Sequence, residues 1–184
     1  MDISTILDSG YVTRFHAVPG ITPQSIAEHS WGVAMILEHC YGATFDNPVV
    51  ILKALTHDCA ELVTGDVPAP MKWECPELKE PLEAVEEKFE KATGIHYRSL
   101  EQVEIDMIKV CDCLEGMQYC FRRTKCGERE AVTPFWAWND YLLGNFVLNS
   151  KADTLRKELC AKMQNMGFSY NRSKQTWPMQ MITK

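Results

Sequence analysis

THDCAELVTGD, residues 56–66, gathers one imidazole and three carboxylates (His57, Asp58, Glu61 and Asp66) around apolar Leu62 and Val63. The residues before it read as helix. Asn47 is a fair N-cap, Pro48 suits the first helical position, and Gly65 closes a helix expected over 47–64. Residues three and four apart share a helix face, which brings His57 and Asp58 toward Glu61 on one side. Exposed residues need no such grouping, and buried ones need partners, because an unpaired buried charge is costly. A divalent cation is the simplest partner. The plain alternative is a solvated acidic helix face with a histidine ahead of it. Adjacent side chains on a helix point about 100° apart, so the spacing alone does not bring His57 and Asp58 onto one ion.

Three features elsewhere favour the ion. His29 lies near the start of an otherwise apolar helix in EHSWGVA. A lone histidine there is ordinarily a satisfied core or boundary residue. Asp112 lies among Ile105, Met107, Ile108 and Cys111, a setting in which a carboxylate is the informative observation. Arg14 stands in a loop 15 residues before His29. Together His29, His57, Asp58 and Asp112 form a two-nitrogen, two-oxygen set. It suits zinc, manganese, iron, cobalt or nickel and leaves room for water and a substrate oxygen.

The remaining residues set the frame. A chain of 184 residues with 46% hydrophobic content fits one domain, 1–184, with a real core. A net charge of −6 argues against a nucleic-acid polymer as partner and allows a small basic pocket for phosphate. The first ten residues do not read as a leader, and no apolar run of about 18 residues points to a membrane. Eight cysteines form no C-x-x-C pair and mostly fall in apolar helical stretches, as reduced thiols of a cytoplasmic protein would.

The pattern predicts an all-α, compact helical bundle. Helices are expected over 3–9, 25–42 and 47–64, over an acidic, exposed 76–94, and over a central 99–124. Two more are expected over 134–148 and 152–166. A proline-punctuated loop is expected over 66–77, and no strand shows. Trp136 and Trp138 are read as core, and the polar tail, 171–184, as loosely held.

The order His, His-Asp, Asp resembles the HD superfamily of metal-dependent phosphohydrolases. Three blocks, RFHAVPGITPQSIAEHSWGVA (14–34), ALTHDCAELVTGDVPAPMK (54–72) and IKVCDCLE (108–115), resemble the 5′-deoxynucleotidases of the YfbR type. They equally resemble small phage HD enzymes that strip triphosphate from dATP. The likeness covers about residues 10–120, and its HDxxExxTGDxPxPxK block is highly specific. It implies that His29, His57, Asp58 and Asp112 are metal ligands and that Glu61 is the carboxylate acting on water. Asp66 is implied as a second acidic residue at the site, facing the sugar or a further ion. It makes Arg14 a phosphate anchor, with Lys72 and Lys109 approaching the phosphates. Phe15 replaces the tryptophan common in these relatives and keeps an aromatic ring beside the deoxyribose. The short gap between His57 and Asp112 is nearer to the phage enzymes.

The expected function is therefore a dNTP triphosphohydrolase, dATP foremost, releasing deoxynucleoside and triphosphate. A 5′-deoxynucleotidase acting on dNMPs is the alternative, and a non-catalytic nucleotide sensor a third reading. The basis for the triphosphate is charge beyond the α-phosphate from Lys72, Lys109 and Arg122 or Arg123. The cofactor implied is Zn²⁺, Co²⁺ or Mn²⁺, with additional Mg²⁺ at the phosphates. The resemblance also implies a homo-oligomer in the cytoplasm of a bacterium or phage-infected host.

Overall fold

In a computed structural model, residues 2–42, 48–95 and 100–170 are described. The architecture is all-α and is organised on α7 (Gln102–Lys125). A capping box starts that helix: the Glu104 carboxylate accepts from the Glu101 N–H, and Glu101 reciprocates at the Glu104 backbone. Its interior stripe of Cys111, Leu114, Met117 and Cys120 is sealed from solvent. α2 (Ile26–Tyr41), α8 (Val132–Asn145), α9 (Ser150–Asn165) and α3 (Pro48–Thr56) pack around it. α2 is capped by Ser25, whose hydroxyl accepts from the Glu28 N–H, and α9 by Asn149. Phe135 and Trp136 lie in the core as expected, while Trp138 is half-buried.

The helix expected over 47–64 is broken. α3 ends at Thr56, residues 57–60 form a turn, and α4 covers only Glu61–Thr64. A side-chain bond to a helix carbonyl marks the break. The Ala54 C=O, which a continuous helix would offer to the Asp58 N–H, lies 2.8 Å from His57 Nδ1 and accepts from it. Tighter three-residue bonds follow, Cys59 N to Thr56 O and Glu61 N to Asp58 O. Cys59 and Ala60 then pack with Phe89 and Ile95 in a second small core, against α1 (Ile3–Ser9) and α6 (Lys79–Thr93). Gly65, at φ 69°, turns the chain out toward Asp66. Asn47 lies outside the described residues, as do His96 and the tail 171–184.

Three smaller departures follow, and the first two involve elements too short to leave a periodic pattern. β1 (Thr13–Arg14) and β2 (Gln24–Ser25) pair antiparallel where no strand was expected. α5 (Ala69–Glu74) supplies a helical turn inside the proline-punctuated loop. α8 stops at Asn145, because Phe146 is extended. The connection between the strands is tied to the end of α7. Glu128 accepts from both the N–H and the hydroxyl of Thr22, and Tyr119 donates its hydroxyl to the Thr22 carbonyl. All eight cysteines are free thiols, five of them buried. Among the described residues no helix is long and apolar enough to cross a membrane.

Because Leu114 is wholly buried where α7 meets its neighbours, Leu114→Ala is expected to cost about 2–5 kcal/mol in urea denaturation. A loss under about 1 kcal/mol would mean that α7 does not carry the core.

Candidate metal centre

The broken helix, α2 and α7 each bring ligand-type atoms to one place. His29 is fully buried on α2, and its Nδ1 lies 2.6 Å from Glu115 Oε2. An ionised carboxylate only accepts, so Nδ1 carries a proton. Burial and Arg14 oppose a second proton on the ring, but Asp112, whose Oδ1 lies 3.2 Å from Nε2, and Glu115 outweigh them and raise its pKa, so Nε2 is a place for a proton or for the cation that replaces it. The His57 ring is fixed in the same tautomer by its bond to the Ala54 carbonyl. His29 Nε2, His57 Nε2 and Asp112 Oδ1 are all buried without a hydrogen-bond partner. One ligand atom from each of these three residues lies within 4.8 Å of the others. Asp58 spans the pair, with Oδ1 3.3 Å from His57 Nε2 and Oδ2 3.6 Å from His29 Nε2. Orphaned lone pairs converging in this way fit a divalent transition ion.

Electrostatics sort these groups. Burial keeps His57 below its ordinary pKa, with His29 and Lys109 adding to the effect against Asp58. For Asp58, burial works the other way but is outweighed by His57, His29 and Arg14, which hold its carboxyl at about 2. Glu61 contrasts with it. Its Oε2 is buried with no hydrogen-bond partner, and Lys72 Nζ reaches only to 3.6 Å from Oε1. Burial, then Asp58, push Glu61 up to about 9. Burial also raises Asp66, which faces His16 Nδ1 at 3.5 Å.

The cluster opens into a cavity of about 640 Å³, in the range of about 300–1,000 Å³ usual for ligand pockets. Arg14 lies at its floor, 8% exposed, with Nη2 3.5 Å from Asp112 Oδ1. Phe15 follows at φ 62°, a left-handed conformation that costs a bulky side chain energy. Stacking on Tyr119 at 5.2 Å holds the Phe15 ring. Lys72 and Lys109 line the cavity as expected, together with Lys79, Trp138 and Tyr141 from α6 and α8.

Arg122 and Arg123 do not line it. Arg122 pairs with Glu28 at 3.2 Å and so ties α7 to α2, and Arg123 is engaged by Glu128 in the loop after α7. His39 is an exposed α2 residue remote from the cavity. Sequence reasoning missed Glu115, Gln24 and Lys79. Glu115 had a signal, a second carboxylate one turn after Asp112 in an apolar helix; Gln24 and Lys79 had none.

Known proteins resemble this chain in sequence and in fold. The family described as 5′-deoxynucleotidase YfbR-like matches residues 3–134. A dATP triphosphohydrolase of Cyanophage S-2L is 31% identical over 118 residues, 61% of this chain and 66% of that protein. The chain thus spans just under two thirds of that relative's length. A 5′-deoxynucleotidase of Vibrio parahaemolyticus is 24% identical over 140 residues, covering 65% of this chain and 72% of its own. Among solved structures, the Cyanophage S-2L HD phosphohydrolase bound to dA and one catalytic Zn²⁺ ion superposes with a TM-score of 0.66. It does so at 22% identity, over 90% of this chain and 98% of that one, which is a likeness of fold.

The raised Glu61 carboxyl has a consequence for the metal-stripped protein. Between its ordinary value of 4.5 and about 9, the folded state holds a proton that the unfolded chain has released. Stability contributed by that proton is therefore lost as pH rises through this window. Melting of metal-stripped protein from about pH 5 to about pH 9 is expected to fall more steeply for the parent than for Glu61→Gln. Parallel profiles would mean that Glu61 titrates normally.

Proposed function

From the premise that this chain belongs to the 5′-deoxynucleotidase YfbR-like family, we propose that it is a metal-dependent deoxynucleotide phosphohydrolase acting on dNTPs, dATP foremost, with deoxynucleoside and triphosphate as products. The observation that carries this reading is a cluster of unsatisfied ligand atoms opening onto a cavity lined by Arg14, Lys72, Lys79 and Lys109. His29, His57, Asp58 and Asp112 would hold Zn²⁺, Co²⁺ or Mn²⁺. Such an ion, when bound, polarises a phosphoryl oxygen and lowers the pKa of water.

The chain's own residues do the rest. Glu61 accepts the proton of the attacking water; a cation bound beside it would draw its raised pKa down and free the carboxylate for this role, and general-base assistance is worth about 10²–10⁴-fold. Arg14 presents a planar fork to two phosphate oxygens. Its contacts to Asp112 and Glu115, at 3.5 and 3.7 Å, are loose enough to leave its donors available. Phe15 places its ring against the deoxyribose, where a 2′-hydroxyl would have no room. Asp66 faces the sugar or a further ion. The three lysines meet the phosphates beyond the first.

Among the described residues, the wall has six carboxylates (Asp58, Glu61, Asp66, Glu83, Glu86 and Asp112) against four cations. A polyphosphate entering it needs further positive charge, and that is the role of Mg²⁺ accompanying the substrate. The same surplus of acid favours the second reading, a 5′-deoxynucleotidase on dNMPs, which bring less negative charge.

Product analysis decides between them. Incubation with each dNTP, dNMP and NTP plus Mn²⁺, Co²⁺ or Zn²⁺ is expected to give triphosphate from dATP. Phosphate from dNMPs alone would establish the second reading, and no hydrolysis of any would leave a sensor. Asp58→Ala is expected to abolish both turnover and metal binding while the far-UV spectrum stays helical. Arg14→Ala is expected to lower kcat/KM by about 10- to 100-fold, the worth of one charged hydrogen bond; a parental value would remove Arg14 from the phosphate site.

A further inference from the structure

Glu115 is a carboxylate only 2% exposed, on α7 one turn beyond Asp112. It touches both halves of the site without lining the cavity. Oε2 takes the proton side of His29 at 2.6 Å, and Oε1 accepts from Gln24 Nε2 at 2.8 Å. Gln24, itself fully buried on β2, turns its own Oε1 to Arg14 Nη1 at 3.4 Å. Arg14 Nη1 also lies 3.7 Å from Glu115 Oε2. Gly32, one turn after His29 on α2, makes the approach possible: a Cβ there would stand 2.7 Å from Glu115 Cγ. A carboxylate suits this position because it must accept from two N–H donors that face each other across it. An amide offers only one acceptor.

We propose that Glu115 is the positioning residue of the centre: it fixes the His29 ring with Nε2 toward the metal and, with Gln24, holds Arg14 in register with that metal. The proposal rests on His29 being a ligand. Removing such an outer partner weakens metal binding by about 10–100-fold.

The test uses metal-stripped full-length protein, with Zn²⁺ titrated calorimetrically and the visible spectrum of the Co²⁺ form recorded. Glu115→Gln is expected to weaken Zn²⁺ binding by about 10–100-fold and to shift the Co²⁺ bands, with the far-UV spectrum unchanged. Exchanging the pair, Glu115→Gln with Gln24→Glu, restores a donor for each acceptor and is expected to recover most of the affinity. Gly32→Ala keeps every hydrogen-bonding group and favours helix, yet is expected to weaken Zn²⁺ binding by displacing Glu115. If Glu115→Gln fails to fold, the Zn²⁺ affinity of Gly32→Ala decides the question in its place. Parental affinity and spectrum in the single variants would overturn the positioning role while leaving the centre intact. Failure of the parent protein to bind Zn²⁺ would overturn the reading of His29 itself.

Discussion

Two imidazole nitrogens and a carboxylate oxygen, buried and facing one another without hydrogen bonds, set the terms for the rest of this structure. Held together out of water they need a proton or a cation between them, as where His29 Nε2 approaches Asp112 Oδ1 to 3.2 Å, and a fold gathers them only when other interactions hold their carriers in place. Here that restraint comes from three directions. α7 carries Asp112 on the helix with the most buried side chains, α2 carries His29 against it, and the turn at 57–60 is pinned by its own small core. Such a site has the donor set that a divalent cation would complete.

Much of this was legible in the residues. Helical periodicity located the main helices because they bury wide apolar faces, and a carboxylate inside the stripe of α7 marked Asp112 as unusual. The convergence of His57 and Asp58 was not legible. It depends on the turn at 57–60 and on the bond from His57 to the Ala54 carbonyl, which spacing does not decide. Charge was misread for a related reason. Arg122 and Arg123 look available as a basic pair, but Glu28 and Glu128 reach them from distant or turning segments. Lys79 looks like surface and meets the cavity only because α6 is folded across it.

The cavity joins two kinds of chemistry. Phe15, Trp138 and Tyr141 give it apolar walls, while ten charged side chains ring the remainder. A ligand with a flat apolar part and an anionic part matches both at once. The strained backbone at Phe15 belongs to this match, since it directs one residue's guanidinium to the floor and the next residue's ring to the wall.

The break after Thr56 gives one residue two parts, as proposed ligand and as architect. His57 presents Nε2 to the centre with the same ring whose Nδ1 interrupts the helix. Were that ring absent, one hold on the turn at 57–60 would be lost, and α3 would be freer to wind onward and carry Asp58 around its axis. His57 and Asp58 are therefore not separable contributors. Losing the histidine forfeits the aspartate's position as well, so the energetic effects of the two residues overlap instead of adding.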